Sequence, residues 1–316
     1  MKKKLVSRIR QFFTTGCCGA LFFFSSLDAA ASEPFPNSHF ATVNNLELHY
    51  RLWEPAAEAD KGYVLLVHGF SGSTFSWEEV ADSLSRLGYR VVAADVPPFG
   101  YSDRNPRQNQ SVTARAALLN TFLDNRFPGI PWHIAGHSMG GGIVQAMALM
   151  KPERFVSVCF VAPTLFAKTE QGRRESSPVW LRIPGLIPFA GHLAESWFLT
   201  ESRIRSSLAS AYGESPSDKQ VQAYLKPLTI PGTARAILNN ARFSKELVSL
   251  DVENFSVPAL AVWGENDTWV SLDSRREIAE SIPGLQLEVI EGAGHNPMET
   301  HFDAFISLWL TFLNNL

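Results

Sequence analysis

"IAGHSMGGGIV", residues 134–144, sets four glycines and one serine between two short apolar runs. Glycine is unfavourable inside helices and strands, so such a concentration marks a place where the chain changes direction. Upstream, "WHIAG" is a short apolar run of strand type; downstream, "MGGGIVQAMALM" has the length of a helix. Ser138 therefore falls at a strand-to-helix turn, the context required of a nucleophile elbow. Gly136 and Gly140 relieve the crowding beside the serine. Gly141 and Gly142 are expected to let the helix approach the sheet closely, and the helix N-terminus favours negative charge developing at Ser138. A lone G-x-S-x-G arises by chance in about one chain of this length in ten, so the surroundings must carry the reading. No phosphate-loop lysine follows, which argues against nucleotide binding.

The surroundings alternate between strand and helix patterns. "YVLLVHG", "YRVVAAD", "WHIAG", "FVSVCFVA", "PALAVWG" and "LQLEVIEG" are short, nearly continuous apolar runs. Such runs suit central strands of a parallel sheet covered on both faces. "LELHYRLW" alternates at period two and is expected to be an exposed-edge strand. Between the runs lie helical segments: "SWEEVADSLSRLG", "SVTARAALLNTFLDNRF", "MGGGIVQAMALMKP" and "SLDSRREIAESIP", with "FDAFISLWLTFLNNL" closing the chain. The alternation predicts an α/β fold with helices on both faces of a mostly parallel sheet.

Residues 165–245 break this rhythm, with helical patches, prolines and an aromatic-rich stretch, "VWLRIPGLIPFAGHLAESWFL". We expect a helical lid there, dividing the core into residues 32–164 and 246–316. Trp180, Phe189 and Trp197 are its candidate pocket-lining side chains.

The first 31 residues are of different material: basic "MKKKLVSRIR", an apolar run, then small residues at Ala29 and Ala31. This layout predicts a signal peptide cut after Ala31 and export to the periplasm or the medium. The alternative is an uncleaved membrane anchor, the one circumstance in which membrane contact is expected. Removing the segment, with five bases and one acid, takes the net charge from −3 to −7. An acidic mature chain is a poor nucleic-acid partner. Cys17 and Cys18 leave with the segment, so no intramolecular disulfide can form, and Cys159 is expected to be a buried, inert thiol.

A serine hydroxyl needs a base to take its proton and a third group to orient that base. "ALAVWGENDTWV" puts Asp267 just past a strand, and "LEVIEGAGHNPME" puts His295 in a glycine-flanked loop after the last one. The chain order Ser138, Asp267, His295 is that of a hydrolase with this topology. Glu265 is the weaker rival for the acid. His68 and His137 flank the site without a spaced set of carboxylates or cysteines, so neither metal nor cofactor is expected. Asp95 and Ser102 are read as structural, and His301 as an exposed helix-start residue.

With "HGF" at 68–70, "GHSMGG" at 136–141, "WGENDTWV" at 263–270 and "GAGHNP" at 292–297, the chain resembles the α/β-hydrolase superfamily in its lid-bearing branch of esterases and lipases. The resemblance implies an eight-stranded sheet with the lid inserted after the sixth strand, "FVSVCFVA". It also implies an oxyanion hole from the backbone N–H groups of Phe70 and Met139. "DVPPFGYSD", residues 95–103, resembles the family's loop after the fourth strand, with Pro98 in place of a glycine. A serine at the elbow speaks against the related dehalogenases and epoxide hydrolases, which use aspartate there. The expected partner is a small-molecule ester with an apolar acyl part. Acyl transfer, perhydrolysis, carbon–carbon bond hydrolysis, a non-catalytic binding role and the oligomeric state stay open.

Overall fold

A computed structural model of the chain describes residues 33–56, 61–166, 199–243 and 250–316. Its strands are β1 (Ser38–Val43), β2 (Leu46–Trp53), β3 (Tyr63–Val67), β4 (Arg90–Ala94), β5 (Trp132–His137), β6 (Phe155–Val161), β7 (Ala259–Gly264) and β8 (Gln286–Ile290). They form one sheet in the order β1-β2-β4-β3-β5-β6-β7-β8. β2 runs antiparallel to β1 and β4, and the other neighbours are parallel. Helices α1 (Glu78–Arg86), α2 (Val112–Arg126) and α3 (Met139–Met150) follow β3, β4 and β5. α4 (Glu201–Tyr212), α5 (Asp218–Leu228) and α6 (Thr233–Phe243) lie between β6 and β7, and α7 (Leu272–Glu280) lies between β7 and β8. A single turn, α8 (Pro297–Thr300), and α9 (Phe302–Asn314) close the chain.

Side chains of a strand point alternately to its two faces, and here both faces are covered. Val64 and Leu66 of β3 join Val80 and Leu84 of α1 and Phe305 and Trp309 of α9. Leu65 and Val67 join Leu119 and Phe122 of α2 and Ile143 and Met147 of α3 on the other side. That double burial is why these strands read as continuous apolar runs. Cys159 of β6 is fully buried, and burial pushes its thiol pKa up. Among the described residues, no helix is long and apolar enough to cross a membrane.

Three expectations need correction. β2 is not an edge strand: β1 covers it, and its alternating polar residues His49 and Arg51 are buried. They are buried because they are partnered. His49 Nδ1 lies 2.6 Å from Asp95 Oδ2, and its Nε2 lies 2.8 Å from Ser38 Oγ. Arg51 donates to Glu78 and Asn37 at 2.8 Å and packs over the rings of Phe35 and Trp53. Second, the closest neighbours of Gly141 and Gly142 belong to the segment after β6, although a Cβ on Gly141 would also lie 3.3 Å from the Gly136 carbonyl oxygen of β5. A Cβ on Gly141 would come within 2.4 Å of Pro163 Cβ, and one on Gly142 within 2.6 Å of Thr164 O. They admit the segment after β6, while Gly140 approaches the sheet: its Cβ would lie 2.3 Å from Val67 O. Third, His301 starts α9 as expected but is half-buried, with Nδ1 3.0 Å from Thr300 Oγ1.

The loop after β4 is a support for what stands above it. Asp95 is fully buried and accepts the N–H groups of Thr74 (2.6 Å) and Tyr101 (2.8 Å). Burial works against its charge, but the His49 hydrogen bond prevails and holds its pKa below the usual value. Ser102 Oγ donates to Asp95 O and accepts the His49 N–H. From the same loop, Arg104 donates to Pro227 O and Thr233 Oγ1, at 3.1 Å each, and so ties α5 and α6 to the core.

Candidate active site

Ser138 stands between β5 and α3 with φ 51° and ψ −115°. A side chain in this region of backbone space is strained, at a general cost of about 1–3 kcal/mol, and persists only where the surroundings over-determine it. They do so here. The Ser138 N–H donates to Val161 O, and its carbonyl accepts the N–H groups of Gly141 and Thr164, all at 2.9 Å. Its side chain does not cap α3, so the hydroxyl is left to the pocket that Ser138 lines.

His295 lines the same pocket and is nearly buried. Its Nδ1 lies 2.8 Å from Asp267 Oδ2, which leaves Nε2 as the nitrogen available to a reacting group. Asp267 Oδ1 accepts the N–H groups of Trp269 (2.8 Å) and Val270 (3.0 Å), so the carboxylate cannot swing away. Glu265, the rival acid, instead accepts the Gly292 N–H in an exposed position. Among the described residues, no hydrogen bond joins Ser138 Oγ to the imidazole. Such contacts are often loose without substrate and tighten in the reacting complex.

Two further histidines hold the backbone around the site. His68 Nδ1 donates to Gly69 O at 2.7 Å, and its Nε2 accepts the Val96 N–H at 2.9 Å, which fixes one neutral tautomer. Burial lowers its pKa. His137 Nε2 donates to His295 O at 2.9 Å. Burial, then the neighbouring His295, pushes the His137 pKa well below its ordinary value, so it stays neutral. Among the described residues, no three His, Cys, Asp or Glu side chains are grouped to hold a metal ion.

Phe70 follows β3 and lines the pocket, half-exposed, with its ring edge-on to Phe99 at 5.0 Å. The Met139 side chain turns away towards Arg115, but its N–H is the first of α3 and has no intrahelical acceptor. Among the described residues, the Phe70 N–H likewise has no protein acceptor. Trp180, Phe189 and Trp197 lie outside the described residues.

Several pocket residues escaped the sequence reading. Ile204, Leu208 and Ala211 of α4 and Leu228 of α5 form an apolar wall, and Ser76, Tyr224 and Asn296 a polar one. The period of 204, 208 and 211 was a signal in retrospect. Trp269 lies parallel to His295 at 5.8 Å and donates to Ser210 Oγ at 3.2 Å. The His295 N–H donates to Ala211 O at 2.6 Å, which joins the end of α4 directly to the histidine loop.

A family model described as the alpha/beta hydrolase fold matches residues 62–302. The chain belongs to this family. It is 25% identical over 256 residues to an uncharacterized hydrolase, YugF, of Bacillus subtilis (strain 168), covering 80% of this chain and 89% of that one. It is 24% identical to Lipase 3 of Moraxella sp. (strain TA144), covering 74% and 72%. It is 26% identical to a 2-hydroxy-6-oxononadienedioate/2-hydroxy-6-oxononatrienedioate hydrolase of Pseudomonas putida, covering 88% and 97%. The chain is a hydrolase of the α/β fold.

Proposed function

We propose that this α/β hydrolase is a serine esterase, cleaving carboxylic esters with an apolar acyl part through an acyl-enzyme. Ser138 Oγ attacks the ester carbonyl while His295 Nε2 takes its proton. Asp267 orients the ring, and the N–H groups of Phe70 and Met139 receive the oxyanion. His295 then protonates the leaving alcohol, and a water that it activates releases the acid. The observation that carries the reading is the 2.8 Å Asp267–His295 contact in the pocket where Ser138 is held at φ 51°. The likeness to Lipase 3 supports the ester as substrate.

The test is a p-nitrophenyl ester series of rising acyl length. We expect turnover that falls by several orders of magnitude in Ser138→Ala; turnover retained in that variant contradicts the assignment. Carbon–carbon bond hydrolysis is the second reading, favoured by the likeness to the Pseudomonas putida enzyme. Cleavage of a vinylogous 1,5-diketone in preference to every ester would favour it.

Residues 1–31 are proposed as an export signal. The exported product should begin at Ser32, within a few residues, by mass spectrometry, whereas a full-length product in the membrane fraction contradicts cleavage.

A further inference from the structure

The polar side of the pocket is organised around a carboxylate that plays no part in the chemistry above. Glu299, on the single turn after the histidine loop, accepts Tyr224 O–H at 2.6 Å and Asn296 Nδ2–H at 2.9 Å on Oε1. Tyr212 O–H reaches its Oε2 at 2.7 Å. A carboxylate only accepts, so all three groups commit protons to it. With Glu299 ionised, Tyr224 has used its one proton, and in its 2.8 Å contact with Ser76 Oγ the serine is the donor. The Asn296 NH2 is directed at Glu299 and, at 3.4 Å, at Tyr224. That fixes the amide: Oδ1 is turned from the network and has no protein partner among the described residues, although Asn296 is only 4% exposed.

Asn296, Tyr224 and Ser76 all line the pocket shared by Ser138 and His295. With the Asn296 and Ser76 protons directed inward, what remains for a ligand is acceptor capacity, at Asn296 Oδ1 and on the Ser76 Oγ lone pairs. A donor on a bound substrate that reaches these acceptors completes a hydrogen bond in a pocket that it has emptied of water. We infer that this wall is a subsite for a hydroxyl group of the substrate, so that the preferred esters carry a hydroxyl on their alcohol or acyl part. The inference rests on the ester-hydrolysis reading. The same wall disfavours a carboxylate, whose oxygens would face two acceptors. That consequence also separates hydroxylated esters from dicarboxylate substrates.

Two ester pairs, each differing by one hydroxyl, test it: glycerol monobutyrate against propyl butyrate, and methyl 6-hydroxyhexanoate against methyl hexanoate. We expect kcat/KM to favour the hydroxylated member of at least one pair by about fivefold or more, the equivalent of one ordinary hydrogen bond. The pair that responds identifies which side of the ester occupies the wall. Ser76→Ala and Asn296→Ala should each move that ratio towards one. Fluorophosphonate labelling of each variant establishes that its site is still assembled. Ratios of one or less in both pairs for the native enzyme overturn the subsite, as does a ratio untouched by both substitutions. If none of the four esters is hydrolysed, the ester reading itself fails, and the subsite is then judged by calorimetry. Tighter binding of 1-O-hexylglycerol than of hexyl propyl ether sustains it, and equal binding overturns it.

Discussion

Asp267 and His295 meet at 2.8 Å through Oδ2 and Nδ1, while the second Asp267 oxygen is held by the N–H groups of Trp269 and Val270. In the proposed mechanism this contact makes Asp267, not Glu265, the residue that sets which imidazole nitrogen is left for Ser138.

Asp267→Asn should therefore lower kcat by about 10⁴ with little change in fold, because an amide favours the wrong tautomer. Glu265→Gln should change kcat by less than about twofold, since Glu265 only meets the Gly292 N–H at the surface. Steady-state kinetics on one p-nitrophenyl ester, with circular dichroism as the fold check, decides between them. The opposite ranking would make Glu265 the orienting acid.

Gly140 marks where α3 touches the sheet. A methyl group there would lie 2.3 Å from Val67 O and 2.7 Å from His68 O, both backbone atoms that have nowhere to go. Gly140→Ala should cost about 1–3 kcal/mol, lowering Tm by several degrees. Because the strain falls on the start of the Phe70 loop, the rate of ester cleavage should fall too. Unchanged Tm and rate would mean that the close approach is not real.

The apolar wall on α4 and α5 predicts where chain-length selectivity is set. Leu208 and Leu228 are buried and line the pocket. Truncating either to alanine should shift the preferred acyl length, because each methylene in an apolar pocket is worth about 1–3 kcal/mol of discrimination. Ratios of kcat/KM for butyrate and octanoate esters report this independently of Tm. Parallel losses on both esters would assign these leucines to packing alone.

Glu299 predicts a pH dependence of stability. Burial raises its pKa, and hydrogen bonds from Tyr224, Tyr212 and Asn296 only partly oppose the rise. The folded state then binds the proton more tightly than the unfolded chain does. The stabilisation is complete below the unfolded carboxylate pKa, about 4.3, and is lost as pH rises through the higher folded value. Relative to Glu299→Gln, the native protein should thus lose stability with rising pH. Melting curves of both proteins from pH 4 to 8 show this as a Tm difference that moves in favour of the variant. A difference moving the other way would mean that the network holds the carboxylate below its ordinary pKa.

The parts that could be read from sequence were those with one dominant cause. Doubly covered strands such as "YVLLV" are apolar throughout, and the glycines around Ser138 admit few alternatives to an elbow. β2 misled because His49 and Arg51 imitate a solvent-facing alternation while being buried against Asp95 and Glu78. The wall residues were hidden because prolines near α4 to α6 obscure helix phase, and because Ser207, a polar residue, shares the pocket with Leu208. Nothing in the sequence singles out Glu299. Only the tertiary fold brings Tyr212 and Tyr224 to it from 87 and 75 residues away.

The central claim is that Ser138 is the nucleophile, and the most direct measurement is active-site labelling with a fluorophosphonate followed by peptide mass spectrometry. The account predicts a single adduct on the peptide containing Ser138. It also predicts loss of labelling in Ser138→Ala and slowed labelling in His295→Ala. An adduct on another serine, or labelling that persists in Ser138→Ala, would contradict it.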